Sequence, residues 1–128
     1  MDLVWFTSFL NKQLKEIHKE SHHKWNHSKT VEYPYLTYNY ESTPIDDIRD
    51  EFSVTINIFD YGISSKNILE LENRLINGLN KNYQELDKAF VYIRTGRSLD
   101  IPTQNDSIQR RELQLIVKVD WKIKGDDI

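Results

Sequence analysis

Apolar and polar residues alternate with a period of two along the segment from Asp50 to Asp60. The apolar positions fall on one side of the chain and are Phe52, Val54, Ile56 and Ile58. This alternation is typical of a strand with one buried face and one wetter face. The period then changes, because apolar residues recur at helical spacing as Ile68, Leu71, Leu75, Ile76 and Leu79. The pattern predicts an amphipathic helix from Ser65 to about Asn80, with Ser64 or Ser65 accepting a hydrogen bond from its first amides.

The N-terminal segment also has a helical period. Its apolar positions are Leu3, Phe6, Leu10, Leu14 and Ile17, which predicts an amphipathic helix over about residues 3–20. Trp5 and Phe9 widen the apolar face near the start of this helix. The wide face either covers the core or packs against a neighbouring copy, and the core-covering alternative is the simpler one.

A histidine-rich connector over residues 21–31 follows the first helix. His18 and His22 are four residues apart, as are His23 and His27. Such pairs share a face of a helix and could bind a metal there. However, the metalloprotease motif needs Glu directly after its first His, and no third ligand is evident. We therefore interpret the segment as an exposed polar linker and expect no metal site.

Three further strands are predicted in the body of the chain, which we place at residues 32–123. The first runs from Glu32 to Glu41, with Pro34 at its start and with Leu36, Tyr38 and Tyr40 sharing one face. A loop over residues 42–47 connects it to the strand at Asp50. A short strand over Phe90–Arg94 precedes a long polar loop, Thr95–Asp106.

The last strand has the clearest alternation, with one face formed by Leu113, Leu115, Val117, Val119, Trp121 and Ile123. Residues 124–128 form a polar tail. The element order α-β-β-α-β-β predicts a single domain over residues 1–128 of the α+β class. It is a two-layer sandwich in which helices cover one face of a mainly antiparallel sheet of about four strands.

Composition narrows the possible functions. The 128 residues include seventeen basic and twenty acidic ones, for a formal charge of −3, which argues against a general nucleic-acid binder. The chain contains no cysteine, and this excludes a disulfide framework and a thiol nucleophile. Seven tyrosines fit either strands or interfaces. No membrane span and no secretory signal are evident, so we expect a protein made and kept in the cytoplasm or assembled there into something larger.

Sequence motifs for catalysis are missing as well. The four glycines form neither a dinucleotide-binding nor a phosphate-binding loop, and no nucleophile elbow occurs. The helix after Ser65 lacks the basic start of a double-stranded RNA module, and Phe90 with Tyr92 lacks the motif of an aromatic RNA-binding sheet. We expect no catalytic, cofactor-binding or metal-binding residues, and no cofactor.

Three segments in a fixed order carry a family resemblance. They are Tyr33-Pro34-Tyr35-Leu36-Thr37-Tyr38 after the first helix, the strand Phe52–Asp60 with its serine turn and helix, and Arg110-Arg111-Glu112-Leu113 at the start of the last strand. Together they resemble the tail terminator proteins of long-tailed bacteriophages, also called tail completion or head–tail joining proteins. The resemblance covers about Leu3 to Ile123 and lies in order and spacing. The histidine-rich connector departs from it.

The resemblance implies a non-enzymatic subunit of a hexameric ring that caps the tail tube and joins it to the filled head. Its implied partners are other copies of the chain, the tail tube protein and a head-completion or connector protein, and no membrane. DNA would pass through the lumen without specific binding. The implied location is the virion tail or neck, after assembly in the host bacterial cytoplasm. The alternatives are a neck or head-completion protein of the same virion, a small metal-dependent enzyme and a nucleic-acid-binding domain.

A ring needs two complementary surfaces on each subunit. Four arginines gather around the predicted loop after Phe90, and an acidic pair lies in the loop before Asp50. Arginine–carboxylate contacts are strong and geometrically specific, so we expect the arginines of one subunit to meet the acidic pair of the next. The candidate interface residues, including two tyrosines of the second strand, are Arg94, Arg97, Arg110, Arg111, Asp46, Asp47, Tyr38 and Tyr40.

Overall fold

A computed structural model describes residues 1–122 of the chain. Within this range the chain forms two helices and six strands. Their order is α1 (Leu3–Ile17), β1 (Ser21–His23), β2 (Tyr35–Pro44), β3 (Arg49–Tyr61), α2 (Lys66–Leu79), β4 (Asn82–Glu85), β5 (Ala89–Ile101) and β6 (Ile108–Trp121). No helix in this part of the chain is long and apolar enough to cross a bilayer.

The six strands form one mixed sheet in the order β1-β2-β3-β6-β5-β4. Every neighbouring pair is antiparallel except β1 with β2. The predicted α+β class is confirmed, but the prediction of about four strands is wrong because it missed β1 and β4. These edge strands have three and four residues, which is too short for an alternating pattern to be recognised.

The histidine-rich connector contains β1, so the prediction of an exposed polar linker is wrong for its first residues. Ser21 is fully buried, and its hydroxyl donates to the carbonyl oxygen of His18 at 2.6 Å. The predicted first helix also stops earlier than residue 20. It ends at Ile17 because His18 already has an extended backbone, which leads directly into the strand.

A β-bulge explains why β5 was predicted as a short strand followed by a long loop. The strand in fact runs from Ala89 to Ile101, and only residues 102–107 connect it to β6. Its register against β6 shifts between Thr95 and Ser98, so Gly96 and Arg97 together face the single residue Gln114 of β6. A bulge breaks the two-residue period, and the polar residues beyond it were therefore read as a loop.

The other boundaries differ by a few residues. β2 begins at Tyr35, after Pro34, and extends to Pro44, which shortens the predicted loop to a turn over residues 45–48. At the start of α2, Ser64 Oγ accepts from the Lys66 amide at 3.3 Å, whereas Ser65 makes no side-chain cap. The alternation of β6 is confirmed as far as Trp121; Ile123 and the tail over residues 124–128 lie outside the described residues.

Both helices lie on the same face of the sheet, and the core fills the space between. The buried faces of β2, β3, β5 and β6 alternate as predicted, with Phe52, Val54, Ile56 and Ile58 fully buried. The rings of Phe6 on α1 and Phe52 on β3 stack with centroids 3.7 Å apart. Trp5 stacks on Phe9 at 5.4 Å and meets Trp121 edge-on at 5.5 Å, so the wide aromatic face of α1 packs against the chain's own core.

The Phe6–Phe52 stack yields a stability prediction. Phe6→Ala should lower the free energy of unfolding by about 3–5 kcal/mol, because it leaves a cavity where two fully buried rings meet. Chemical denaturation followed by tryptophan fluorescence measures the change. Val4→Ala on the same helix is the control, since Val4 is 81% exposed and its loss should stay within about 0.5 kcal/mol. Equal losses for the two variants would contradict the packing described here.

Candidate assembly interface

The sheet has a second face that no helix covers within residues 1–122. We call it the open face. It consists of the residues that alternate with the core positions of each strand, and many of them are half-buried by their sheet neighbours. Its members include Tyr35, Asn39, Glu41, Ser53, Asn57, Phe59, Tyr83, Phe90, Tyr92, Arg94, Arg110, Gln114, Ile116 and Lys118.

Aromatic rings line one corner of the open face, where β2 begins and β3 ends. Tyr35 stacks on Phe59 with centroids 5.0 Å apart, and Tyr33 lies 5.9 Å from Tyr61. The guanidinium of Arg110 lies over the Phe59 ring at 5.7 Å and donates twice to Asn57 Oδ1, at 2.8 and 3.1 Å. Tyrosine and arginine are the residues most often found at the energetic centre of protein interfaces.

A cup of about 300 Å³ occupies the opposite corner of the open face. Ile45 from the β2–β3 turn and the rings of Tyr83, Phe90 and Tyr92 supply its apolar lining, and Lys118 lies at its edge. Tyr83 is 64% exposed. The described lining residues include no histidine, serine or cysteine, so a nucleophile paired with a histidine base is not assembled here. The lining also includes charged residues, namely Arg49, Asp50, Glu51 and Asp120.

The structure separates the four candidate arginines instead of gathering them. Arg111 points to the helix-covered face, where its Nε donates to Glu72 Oε2 at 2.9 Å. The side chains of this pair are only 16% and 7% exposed. Arg111 also donates to Asp100 Oδ1 at 2.6 Å and to Ser98 Oγ at 2.7 Å. Arg111 is thus held inside its own chain.

The other three arginines have different surroundings. Arg110 lies on the open face, as described above. Arg94 on β5 and Arg97 in the bulge are exposed, and neither forms an ion pair with another residue of the described range 1–122. Exposed arginines without an internal partner remain available to a neighbouring protein.

Asp46 and Asp47 lie in the turn over residues 45–48, at the end of β3 opposite Arg110. Asp46 Oδ1 accepts from the amides of Ile48 and Arg49, at 3.0 Å each. The amide of Ile48, together with the Arg49 charge, lowers the pKa of the Asp46 carboxyl. Asp46 also pairs with Arg49 Nε at 2.9 Å and so shapes its own turn, whereas Asp47, which is exposed like Asp46, forms no ion pair within residues 1–122. The acidic turn can meet the arginines of another copy but not Arg110 of its own copy.

The two candidate tyrosines contact α1. Tyr38 is only 1% exposed, and its hydroxyl donates to Asn11 Oδ1 at 2.8 Å. Burial, with a smaller contribution from neighbouring Tyr40, raises the pKa of Tyr38 to about 12. Tyr40 is half-buried, and its hydroxyl lies 2.6 Å from Thr7 Oγ1. The alternation of β2 put both tyrosines on one face with Leu36, and in the folded chain that face is the core side.

The histidines of the connector are engaged in local contacts. His18 Nε2 lies 2.7 Å from the Pro34 carbonyl oxygen, and His27 Nε2 lies 3.2 Å from that of His23. The His23 ring stacks on Tyr38 at 5.2 Å, and burial, with the nearby Lys24 charge, lowers the pKa of His23. Residues 1–122 contain no group of three or more His, Cys, Asp or Glu side chains placed to hold a metal ion.

Sequence patterns gave no sign of two unpaired strand edges. β1 pairs with β2 only along Leu36–Tyr38, so the outer side of β2 from Asn39 to Pro44 has no strand beside it in the described part of the chain. On the other side of the sheet, β4 pairs with β5 only along Phe90–Ile93, which leaves Arg94–Ile101 unpaired there. Such edges expose backbone groups that can pair with another chain.

Comparison with known proteins places the fold. No protein-family model and no curated protein matches the sequence. Among solved structures, the chain is similar to a chain from the virion of a native gene transfer agent particle. The TM-score is 0.66, the sequence identity is 8%, and the match covers 84% of each chain. The two chains share a fold at this level of identity, which does not by itself establish a shared role.

The Glu72–Arg111 pair predicts different consequences for two arginine substitutions. Arg111→Met should lower the free energy of unfolding by about 3–5 kcal/mol, because it leaves the buried Glu72 carboxylate without its charged partner. Arg94→Met, on the exposed part of the same sheet, should change it by no more than about 0.5 kcal/mol. Urea denaturation of both variants measures the difference. A small loss for Arg111→Met would show that the pair is not held as described.

Tyr38 predicts a loss of stability at high pH. Its pKa is raised from 10.0 to about 12 in the folded chain, so unfolding releases its proton more readily between these values. The stability from this group is complete below pH 10 and declines as the pH rises toward 12. The control is Tyr38→Phe, which cannot ionise and should show a shallower decline in thermal stability over that interval. Identical slopes would mean that Tyr38 ionises freely in the folded protein.

Proposed function

We propose that this chain is a structural protein of a phage virion, and specifically a tail terminator subunit. In this role a ring of copies caps the tail tube and provides the surface that joins it to the head. The observation that carries the proposal is the fold shared with a chain of a gene transfer agent virion over most of both chains. The resemblance of the Tyr33–Tyr38, Phe52–Asp60 and Arg110–Leu113 segments to tail terminators supports the more specific role.

The distribution of surface chemistry suits a subunit with several neighbours. A closed ring uses two different faces of each subunit, joined head to tail. The chain offers an acidic turn at one end of β3, exposed Arg94 and Arg97 on β5, and an open face with aromatic corners. We propose that the arginines contact the acidic turn, chiefly Asp47, of the next copy. Arg110 with the neighbouring aromatic rings is free for a further partner, the tail tube protein or a connector.

Assembly in the host cytoplasm and residence in the virion tail or neck follow from this role. A net charge of −3 on each subunit would disfavour adhesion to DNA that passes through the lumen. The role requires no catalysis and no cofactor. The same fold likeness also supports a neck or head-completion protein, which would bind filled heads in preference to tail tubes.

The first test is the size of the assembly. Light scattering after size exclusion, over a range of concentrations, should reveal a ring of about six subunits, or a monomer that forms the ring when purified tail tubes are added. Arg97→Glu should weaken this association at least about tenfold, because it places like charges together, and should leave the monomer folded. Circular dichroism checks the fold of the variant.

Lys12→Glu provides a matched control, since Lys12 is an exposed cation on the outer side of α1. Its reversal should leave the assembly unchanged. Failure of the wild-type chain to associate with itself, with tail tubes or with filled heads would refute the proposed function. Preferential binding to filled heads would favour the neck alternative.

A further inference from the structure

The two unpaired strand edges lie on opposite sides of the sheet and at overlapping heights. The strand registers connect Arg94 to Ile116, Ile116 to Ser53, and Ser53 to Glu41. Arg94 and Glu41 are therefore level with each other across the sheet, and both lie on the open face. Thr95 and Tyr40 are level as well, because each is aligned with the Val54–Leu115 pair.

Asparagine side chains satisfy one amide on each of these strands. The Thr95 amide donates to Asn80 Oδ1 at 2.9 Å, and the Tyr40 amide donates to Asn39 Oδ1 at 2.9 Å. Backbone amides inside a sheet normally donate to a neighbouring strand. Here a side-chain oxygen takes the place of a strand carbonyl, and it can be displaced when a strand arrives.

The two edges carry opposite charge. Arg94 and Arg97 lie on the β5 edge, where the acidic residue of the same segment, Asp100, is paired with Arg111. Glu41 lies on the β2 edge, and Asp47 lies in the turn that follows β2. Arg94, Arg97, Glu41 and Asp47 form no ion pair within residues 1–122. Opposite charges across a strand pair stabilise it, and like charges destabilise it. Two β5 edges or two β2 edges would repel each other, so the charges select the unlike pairing.

We propose that the unpaired β5 edge of one copy pairs with the unpaired β2 edge of the next copy, with Arg94 opposite Glu41 and Thr95 opposite Tyr40. This inference rests on the proposed function, since it names the surface by which a ring of copies would form. β2 and β5 run in opposite directions, because three successive antiparallel pairings separate them. The new pair is therefore antiparallel, and it continues the sheet from one copy to the next.

The register decides which residues meet. With Arg94 of one copy opposite Glu41 of the next, the two copies are level, and Arg94–Arg97 of β5 faces Asn39–Glu41 of β2. The bulge at Gly96 and Arg97 bends β5 within the contact. Because each copy uses two different edges, the contact is head to tail.

A charge-swap experiment tests the contact in the full chain. Arg94→Glu and Glu41→Arg, each alone, should weaken self-association at least about tenfold, because each places like charges at the contact. The double variant restores an opposite pair with its signs exchanged and should recover association to within about threefold of wild type. Light scattering over a concentration series, with tail tubes added if the wild type requires them, measures all three. Lys12→Glu is again the matched control.

Disulfide trapping provides a second measurement that does not depend on a stable ring. The chain has no cysteine, so the only thiols are those introduced. Directly opposed residues in an antiparallel pair lie about 4.5–5.5 Å apart, which suits a disulfide. Glu41→Cys with Arg94→Cys should give a ladder of covalent multimers after mild oxidation at high concentration. A second variant, Thr43→Cys with Arg94→Cys, should cross-link instead if the pairing of β5 with β2 is shifted by two residues.

The control combines Glu41→Cys with Glu70→Cys on the exposed side of α2, and this variant should remain monomeric on a non-reducing gel.

Cross-linked multimers together with rescue by the charge swap establish the edge contact. An assembly that forms normally but neither cross-links nor responds to the swap would overturn the edge contact and leave the proposed function standing. If the chains cross-link but never close into a ring and never bind a tail tube or a head, the edge contact stands and the proposed function is overturned. A chain that neither assembles nor cross-links would overturn both.

Discussion

The structure depends on the fact that two helices cover only one face of a six-stranded sheet. The Phe6–Phe52 stack fixes α1 on β3, and α2 fills the rest of that face. Burial of large aromatic and aliphatic side chains supplies most of the stability of such a layer. The opposite face receives no cover within the described residues. Its tyrosines, its two arginines and its cup thus remain at the surface, where another protein can contact them.

The charged residues also differ between the helix-covered face and the periphery of the sheet. Glu72 and Arg111 lie on the covered face and neutralise each other in a partly buried network with Asp100 and Ser98. Losing one member of such a pair mainly costs stability. Arg94, Arg97, Glu41 and Asp47 lie at the periphery of the sheet without internal partners among residues 1–122. Exposed charges of this kind contribute little to folding, and they suit the selection of a neighbour.

The edge strands link fold and assembly. β1 is too short to pair with the whole of β2, and β4 is too short to pair with the whole of β5. One strand segment is therefore left unpaired at each side of the sheet. Proteins usually protect such edges with charge, bulges or short strands, and this chain uses all three. Because the exposed charges on the two edges have opposite signs, two like edges repel each other.

The sequence by itself determined the helices and strands in which the apolar period repeats often enough to be recognised. The alternation of β3 and β6 and the helical spacing of α1 and α2 predicted the α+β class, the covered face and most of the core. Local pattern failed wherever the period was interrupted or too short. The bulge at Gly96–Arg97 hid half of β5, and β1 was hidden in a polar segment whose burial comes from pairing with Leu36–Tyr38.

Only the tertiary structure decided the partners of the charged residues. In the sequence Arg110 and Arg111 are adjacent and look equivalent, yet the alternation of β6 sends them to opposite faces, one to Asn57 and one to Glu72. Glu72 lies 39 positions from Arg111, a separation that no local period reports. The level alignment of Arg94 with Glu41 likewise passes through three strand pairings. Sequence periodicity records which face a residue occupies, whereas contacts between distant segments depend on register, which only the folded sheet sets.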